Sequence, residues 1–320
     1  MAKVLVVGGA GYIGSHVVKE LMRSGHEVTV FDNLSTGQEI NLFQENRFIR
    51  GDIRNQEEIA AAMRGQDAVV HLAAKKAVGE SMENPMKYSD NNINGSLNIL
   101  NAMVEAGTKY IVFSSSAAVY GMPEKEEVDE DCPIAPINYY GFTKAEIEKF
   151  MGWYDRLKGL KYVALRYFNA VGYDADGDIR GREVNPQNLL PIIMEVAEGK
   201  RDKLKIFGSD YPTRDGTCIR DYIHVSDLAT AHVLAIEKLM SGMPSQALNL
   251  GTGSGTSVKE MLTAAEQALG KKIPAEYAPR RPGDPAVLIA SAAKARELLG
   301  WEATYGKDER GMVSIIRTML

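Results

Sequence analysis

The sequence predicts an α/β protein with a doubly wound parallel sheet and a second, smaller C-terminal domain that is discontinuous in sequence. Two observations predict this. In the first half of the chain, short β-branched apolar runs alternate with longer amphipathic stretches, the pattern of parallel strands joined by right-handed helical crossovers. After Asn169 the pattern becomes irregular, and glycine, proline and charged residues become frequent. We expect a sheet domain at 1–168 and 221–250 and a smaller domain at 169–220 and 251–320.

The individual elements follow from the hydrophobic pattern. Short apolar runs predict strands, and stretches with one apolar face predict helices. The predicted strands of the sheet lie at 4–7, 27–31, 68–72, 110–113, 162–165 and 247–250. The predicted helices lie at 14–24, 56–63, 85–106, 139–157 and 226–240.

The composition excludes several classes of protein. Apolar residues make up 45% and charged residues 25% of the 320 residues, as in ordinary globular proteins. The net charge is −5 and the Lys and Arg residues are scattered, so we expect no nucleic-acid partner. Apolar runs of 18 residues are absent, so we expect no membrane span.

The cysteine pattern excludes a disulfide framework and a zinc site. Cys132 and Cys218 are far apart and show neither Cys-x-x-Cys nor Cys/His ligand spacing. The five histidines form no metal-binding cluster in the sequence. The sequence therefore predicts no metal and a reducing, cytoplasmic compartment.

A glycine pattern near the N-terminus indicates a dinucleotide site. Gly9, Gly11 and Gly14 satisfy G-x-G-x-x-G directly after a predicted strand and at the start of a predicted helix. Such glycines permit a tight turn, let the backbone approach a pyrophosphate, and allow the helix to pack on the strand. Because a second strand ends in an acid, a loop without a ligand is the weaker interpretation.

That acid is Asp32. Its carboxylate can accept hydrogen bonds from the ribose hydroxyls of adenosine and would repel a 2′-phosphate, so NAD is favoured over NADP. An exposed aspartate in a turn is the alternative. Asp52 and Ile53 follow a further predicted strand between those at 27–31 and 68–72, and His71 lies at the end of the strand at 68–72. Both positions fall at the sheet edge where open α/β sheets bind ligands.

A tyrosine and a lysine indicate a chemistry. Tyr140 and Lys144 lie four residues apart on a predicted helix and share a face, so the ammonium can favour the phenolate. This would lower the tyrosine pKa from its ordinary value of about 10 and make Tyr140 a candidate general base. A serine run ending at Ser116 precedes them. Tyr154 and Lys158 repeat the spacing, but we interpret that pair as a solvated helix face.

With these residues in place, the chain closely resembles the extended short-chain dehydrogenase/reductase family, and within it the group that inverts C4 of UDP-glucose and UDP-galactose. The resemblance covers nearly the whole chain and is most specific in six segments: 8–16, 76–81, 113–121, 165–169, 220–224 and 278–284. It implies a Rossmann domain with NAD, a UDP-sugar substrate, a 4-keto intermediate, and a homodimer formed by helices near 85–106 and 139–157.

The resemblance also implies roles for individual residues. Tyr140 would be the base, Lys144 would bind the nicotinamide ribose, and Ser116 would hydrogen-bond the reacting sugar oxygen. The implied cofactor residues are Gly8, Gly11, Tyr12, Ile13, Gly14, Asp32, Asn33, Asp52, Ile53, Leu72, Ala73, Ala74, Lys76, Asn91, Ser114, Tyr140, Lys144, Tyr167 and Phe168. The implied substrate residues are Lys76, Ser116, Tyr140, Asn169, Asn188, Leu189, Leu204, Phe207, Arg220, Arg281, Asp284 and Leu288.

Several alternatives remain open at this point. Another nucleotide-sugar enzyme of the family, such as a different 4-epimerase, a 4,6-dehydratase or a decarboxylase, is the nearest. Dehydratase relatives carry an Asp-Glu pair where this chain has Ala117 and Ala118. A non-catalytic NAD-sensing protein is a remote alternative, because the serine, tyrosine and lysine are all present. Leu288 stands where some relatives carry a tyrosine, so N-acetylated sugars could also be substrates.

Asp221 and His224 resemble a catalytic pair. A histidine near a strand end is more often a structural residue, and we expect that role for His224.

Overall fold

Residues 1–183, 186–281, 283–306 and 311–320 are described by a computed structural model of the chain. Its strands, in chain order, are β1 (Lys3–Val7), β2 (Glu27–Asp32), β3 (Arg47–Arg50), β4 (Ala68–His71), β5 (Tyr110–Ser116), β6 (Glu127–Val128), β7 (Lys161–Tyr167), β8 (Asn169–Val171), β9 (Leu204–Phe207), β10 (Ile219–His224), β11 (Gln246–Leu250), β12 (Gly255–Ser257), β13 (Ala275–Ala278) and β14 (Val287–Ala290).

The helices alternate with these strands. They are α1 (Tyr12–Arg23), α2 (Gln56–Met63), α3 (Val78–Glu83), α4 (Pro85–Tyr88), α5 (Gly95–Ala106), α6 (Tyr139–Lys158), α7 (Leu189–Ala197), α8 (Val225–Met240), α9 (Val258–Leu269), α10 (Ala293–Leu299) and α11 (Gly311–Arg317). None of the helices within the described ranges is long and apolar enough to cross a membrane.

A seven-stranded parallel sheet forms the larger lobe, with the strand order β11-β7-β5-β4-β1-β2-β3. The chain leaves β1 in one direction, towards β2 and β3, and later continues on its other side through β4 and β5. This change of direction creates a crevice at the carboxyl ends of the strands. The predicted doubly wound α/β fold is confirmed.

Both faces of the large sheet are buried under helices. In β1, Val4 and Val6 point into one apolar cluster, whereas Leu5 and Val7 point into the other, as the two-residue period of a strand requires. The first cluster includes side chains of α1 and α8, and the second includes side chains of α2, α5 and α6. Burial on both faces explains why the strands are continuous apolar runs.

The helix predicted at 85–106 is interrupted. It consists of α4, a π-helical segment at Ser89–Asn94, and α5. Asn84 accepts a hydrogen bond from the backbone of Lys87 and thereby caps α4, in which Pro85 occupies the first turn. The short helix α3 before it was not predicted. The π-helical segment buries Asn91 and Asn92, and Asn92 donates to the Lys75 carbonyl in the loop after β4 and to Thr143 on α6.

The smaller lobe is organised around β10. This strand pairs with β8, β12 and β14, and β9 pairs with β13 in a separate ribbon. The core of the smaller lobe includes side chains from α7, α9 and α11. Residues 221–224 therefore lie in this smaller sheet, while Trp301 packs in the core of the large lobe. The division of the chain into domains stays a prediction.

Candidate active site

The glycine turn is formed as the dinucleotide pattern requires. Gly8 has φ +89°, and a Cβ there would lie 2.7 Å from the backbone nitrogen of Ala73. A Cβ on Gly14 would lie 2.1 Å from the Gly8 carbonyl oxygen, so glycine lets α1 approach β1. At Gly11 the nearest atom would be 3.4 Å away, which leaves this position accessible to a ligand. Gly11 is the N-cap of α1, a favourable place for a phosphate.

Asp32 lies beside this turn. Its two carboxylate oxygens accept hydrogen bonds from the backbone nitrogens of Ala10 at 3.0 Å and Leu34 at 2.8 Å. Burial raises the pKa of Asp32, and the two backbone donors oppose that rise. An ionised carboxylate has about four acceptor positions, so this arrangement leaves capacity for ribose hydroxyls. Leu34 has φ 58°, a strained conformation for a residue with a side chain.

Asp52 has a different environment. Its carboxylate accepts from Arg54 through Nε at 3.0 Å, Nη2 at 2.8 Å and the backbone nitrogen at 2.9 Å, and from Asn33 Nδ2 at 2.9 Å. These contacts, chiefly those with Arg54, hold the pKa of Asp52 well below its usual range. Four donors use the acceptor positions of the carboxylate. Asp52 therefore organises Asn33 and Arg54, while the side chain of Ile53 is buried in the core.

The loop after β4 adds further predicted cofactor residues. The backbone nitrogens of Leu72 and Ala73 donate to the Val7 carbonyl at 2.8 and 3.0 Å, so the residues from 72 to 74 continue beside the end of β1. Asn91 donates to Asn92 Oδ1 at 3.0 Å. The Lys76 amino group lies 2.7 Å from Glu183 Oε1. This contact with Glu183 was not foreseen from the sequence.

The start of α6 positions the candidate base. The Asn138 side chain caps the helix by accepting from the Gly141 backbone nitrogen at 2.8 Å. A Cβ on Gly141 would lie 2.4 Å from the Ala118 carbonyl oxygen, so glycine allows the segment after β5 to contact the helix. This close approach brings the side chain of Ser116 next to that of Tyr140.

The electrostatics differ from the prediction. Burial raises the pKa of Tyr140 to about 12, and the neighbouring Ser116 hydroxyl opposes this rise. The Lys144 amino group donates to the Ser114 carbonyl at 2.6 Å and lies 5.8 Å from the Tyr140 ring centroid. Burial also lowers the pKa of Lys144 to about 7, opposed by the charge of Glu148. The predicted lowering of the Tyr140 pKa is therefore wrong for this arrangement, because burial of the phenol outweighs a distant and desolvated amine.

Further side chains lie near Ser116 and Tyr140. The hydroxyl groups of Ser114 and Tyr167 are hydrogen-bonded, and burial raises the pKa of Tyr167. Phe168 packs in a cluster with Ala117, against which Leu288 of β14 also packs. This cluster joins the end of the large sheet to the smaller lobe, so the candidate catalytic and sugar residues lie together.

The predicted substrate residues form a chain of contacts in the smaller lobe. Arg220 Nη2 donates to Asp284 Oδ1 at 3.3 Å, and the Asp284 backbone nitrogen donates to the Arg281 carbonyl at the same distance. The Arg281 guanidinium lies 3.8 Å from the centroid of the Phe207 ring. Arg220 is paired in register with Leu288 on β14. Two arginines and an aromatic ring suit a nucleoside diphosphate.

The other predicted substrate residues lie at separate places in the smaller lobe. Asn169 Nδ2 donates to the Asp221 carbonyl at 2.9 Å. Asn188 is the N-cap of α7 and Leu189 is its first residue. Leu204 is only 2% exposed and packs in the core of the smaller lobe, so its side chain is a structural one.

Asp221 and His224 form no catalytic pair. Asp221 accepts from the backbone of Thr252 at 2.9 Å and Gly253 at 3.0 Å, and holds this turn against β10. His224 caps α8 by accepting from the Ser226 nitrogen at 3.1 Å, and its ring stacks on Tyr305 at 3.9 Å. Both residues are structural. Among the residues that the structure describes, no group of three His, Cys, Asp or Glu could hold a metal.

Sequence reasoning missed a buried ion pair behind the site. Arg166 and Glu148 are both nearly buried, 2.6 Å apart, and Glu148 also accepts from Ser115. Arg166 donates to the Tyr120 hydroxyl at 2.9 Å. Glu148 lies one helical turn after Lys144, and this i to i+4 spacing was the available signal.

The comparisons with known proteins agree with this geometry. Residues 4–251 match the model of the NAD dependent epimerase/dehydratase family. The chain belongs to this family. A UDP-glucose 4-epimerase of Streptococcus mutans is 49% identical, with 97% of this chain and 95% of the relative covered.

Two solved epimerase structures are similar throughout. UDP-glucose 4-epimerase from Brucella ovis in complex with NAD has a TM-score of 0.95 and 44% identity, with 99% of this chain and 97% of that chain covered. The UDP-Glc/GlcNAc 4-epimerase from Campylobacter jejuni has a TM-score of 0.87 and 40% identity, with 99% and 98% covered. The Rossmann prediction and the family resemblance are confirmed, and NAD is the cofactor.

Proposed function

We propose that this epimerase-family chain interconverts UDP-glucose and UDP-galactose through a transient 4-keto sugar, with NAD retained between turnovers. The observation that carries the proposal is the proximity of Ser116, at the carboxyl end of β5, to Tyr140 on α6. Two relatives that are 49% and 44% identical to this chain are UDP-glucose 4-epimerases.

NAD, when bound, supplies the acceptor and donor of the C4 hydride. Tyr140 Oη removes the proton of the 4-hydroxyl group, and Ser116 Oγ hydrogen-bonds the same oxygen and orients it. Because burial raises the pKa of Tyr140 to about 12, the phenolate depends on nearby positive charge. Lys144 is held near the ring by Ser114 and provides such charge when protonated.

The smaller lobe anchors the UDP part while the keto sugar changes the face that it presents. Arg220 and Arg281 are the proposed pyrophosphate ligands, and Phe207 forms an apolar wall for the nucleotide. The proton then returns from Tyr140 to O4, so no residue or cofactor is consumed. We also propose that 1–168 and 221–250 bind NAD, and that 169–220 and 251–320 bind the UDP-sugar.

The test is to incubate the purified protein with UDP-galactose, without added NAD, and to quantify UDP-glucose. We expect product, which requires both inversion at C4 and a retained cofactor. If none forms, the assay is repeated with added NAD, and recovery would mean weakly held NAD. Continued absence of product would contradict the proposed activity and favour another nucleotide sugar or a non-catalytic role. A dehydratase is less well supported, because Ala117 and Ala118 carry no acid or base where dehydratase relatives have an Asp-Glu pair.

A second candidate activity is the interconversion of the N-acetylated UDP-sugars. Leu288 lies opposite Arg220 on β14 and packs against the cluster that contains Phe168, so we propose that its size limits the sugar end of the crevice. The similar Campylobacter jejuni enzyme is a UDP-Glc/GlcNAc 4-epimerase. Leu288→Tyr should selectively lower activity on UDP-N-acetylglucosamine, whereas Leu288→Met should not. Equal losses on both sugars would refute this role.

We further propose a homodimer formed through the α5 and α6 region. Trp153 and Leu157 lie four residues apart on α6 and are 54% and 67% exposed. Large apolar side chains exposed on one helical face suit an interface. Sedimentation should show dimers that the double change Trp153→Glu and Leu157→Glu converts to monomers. Tyr277→Glu, at an exposed site on β13, is the control and should leave the sedimentation unchanged. A wild-type monomer would overturn the proposal.

The cellular setting is also a proposal. Cys132 and Cys218 are free thiols, which suits the reducing cytoplasm. The proposed reaction would place the enzyme in galactose metabolism. Fractionation of the source cells would test the compartment, and recovery outside the cytoplasm would contradict it.

A further inference from the structure

Residues 172–183, called the strap below, cross from the smaller lobe to the glycine turn of the large lobe. The strap first contacts α1. The Tyr12 hydroxyl donates to the Gly172 carbonyl at 2.6 Å, and the rings of Tyr12 and Tyr173 are 5.0 Å apart. Two helical turns further along α1, the Lys19 amino group contacts three strap carboxylates at 2.6–3.0 Å: Asp174, Asp176 and Asp178.

The strap next contacts the glycine turn itself. Asn41, which is 3% exposed, donates to the Ala10 carbonyl at 3.2 Å and to the Gly181 carbonyl at 3.3 Å. Asn41 Oδ1 accepts from the Gly181 nitrogen at 2.7 Å. A Cβ on Gly181 would lie 2.5 Å from Asn41 Oδ1, so glycine lets the strap approach Asn41. The hydrogen bonds of Asn41 thus connect the strap to Ala10, in the middle of the dinucleotide turn.

The end of the strap contacts the loop after β4. Glu183 Oε1 pairs with the Lys76 amino group at 2.7 Å, and the Glu183 nitrogen donates to the Tyr173 hydroxyl at 3.2 Å. The strap is tied to the smaller lobe as well, because Arg182 donates to the Met319 carbonyl at 2.6 Å. The strap thus joins both lobes across the carboxyl ends of β1 and β4.

We propose that the strap is a closure that retains NAD, and that its opening controls cofactor exchange. It contacts the two sides of the crevice that NAD must leave, at the glycine turn and at Lys76. The Lys19–Asp174 anchor is nearly buried, at 12% and 7% side-chain exposure, whereas the side chains of the anchors Asp176 and Lys76 are 60% and 48% exposed. Such contacts can break one at a time, so the closed strap is stable but able to open. The inference rests on the NAD dependence of the family, and it goes beyond the proposed sugar reaction.

The decisive variant is Lys19→Met, which keeps most of the side-chain volume and removes the charge that holds three strap aspartates. Lys19 is outside the predicted cofactor residues. Holoenzyme is mixed with excess ¹³C-labelled NAD, and the bound NAD is isolated by rapid desalting and analysed by mass spectrometry. We expect exchange about fivefold faster than in the wild type. Lys272→Met, which removes an exposed pair with Glu266, is the matched control and should exchange at the wild-type rate.

Two further variants keep the test decisive. Asp176→Asn changes an exposed side chain with little risk to folding and should accelerate exchange about twofold. Glu183→Gln should accelerate it as well, because it weakens the pair with Lys76. Wild-type exchange in both Lys19→Met and Asp176→Asn would overturn the proposal, even if Glu183→Gln were faster, since Lys76 alone would then hold the cofactor. The readout is NAD exchange, so failure of the sugar assay would leave this result interpretable.

Discussion

The two halves of the candidate site are built differently. In the half that carries Tyr140, the geometry is set by close backbone contacts and buried polar groups, such as Gly141 against Ala118 and Lys144 on Ser114. In the half that carries Arg220, a 3.3 Å ion pair with the partly exposed Asp284 holds the guanidinium. The difference teaches that the chemistry depends on fixed positions, whereas recognition of the nucleotide depends on charges that can change partners when a ligand binds.

The largest expected effect on activity is in the half that carries Tyr140. Tyr140→Phe removes the group that accepts the proton, so kcat should fall about 10²–10⁴-fold while the amount of bound NAD is unchanged. Tyr139→Phe is the matched control, because the Tyr139 hydroxyl contacts only Ser89 among the contacts described for it, at 2.6 Å. Steady-state kinetics and NAD quantification after denaturation make the measurement. Near-normal turnover of Tyr140→Phe would remove Tyr140 from the mechanism.

A smaller effect on activity is expected in the half that carries Arg220. Arg220→Lys keeps the positive charge and loses the planar fork of donors, so KM for UDP-galactose should rise about tenfold with little change in kcat. Arg280→Lys is the control, since Arg280 is tied to the exposed Asp210. A fall in kcat at constant KM would mean that the two halves are not separable in the way proposed.

Two aspartates sharpen the comparison within the cofactor site. Asp32 has acceptor positions left for a ribose, whereas protein donors use those of Asp52. Asp32→Ala should therefore raise the preference for NADP relative to NAD by about tenfold, measured as relative affinities of the cofactor-depleted protein. Asp52→Asn should lower the thermal midpoint and leave that preference unchanged. The reverse pattern would contradict the assignment of both residues.

The smallest effect at neutral pH concerns protein stability and the buried His232 on α8, whose ring centroid lies 6.0 Å from that of Tyr167. Burial lowers the pKa of His232 to about 4, so the folded protein keeps this imidazole neutral. The unfolded chain binds the proton near pH 6.5, so the stabilisation present above that pH is lost as pH falls towards 4. Denaturant unfolding at pH 7 and pH 4 should show a loss about 2 kcal/mol smaller for His232→Gln than for the wild type. Equal losses would exclude His232 as a cause.

Local patterns predicted the large sheet well. β-Branched runs bounded by glycine and charged residues gave strands close to the observed ones, because these strands are buried on both faces. The π-helical segment at Ser89–Asn94 was missed, since its Asn92 makes buried contacts with the distant Lys75 and Thr143 that local propensity does not reveal. The direction of the Tyr140 pKa was missed for the same reason. Burial is a property of the assembled lobes.

The contacts between distant segments were also beyond the sequence. Lys19 and Asp174 are far apart in the chain, and no spacing rule connects them. Likewise, the sequence placed Leu204 among the substrate residues, and only the packed lobe shows that its side chain belongs to the core. The roles of the individual cofactor and substrate residues stay predictions until the variants are measured.

The most direct test of the central claim uses UDP-galactose that carries deuterium at C4. The holoenzyme is incubated without added NAD, and the UDP-glucose formed is analysed by NMR and mass spectrometry. If the hydride leaves C4 and returns to its opposite face within one active site, the product keeps the deuterium at C4. Product that has lost the label to solvent, or a label found at another carbon, would contradict the account.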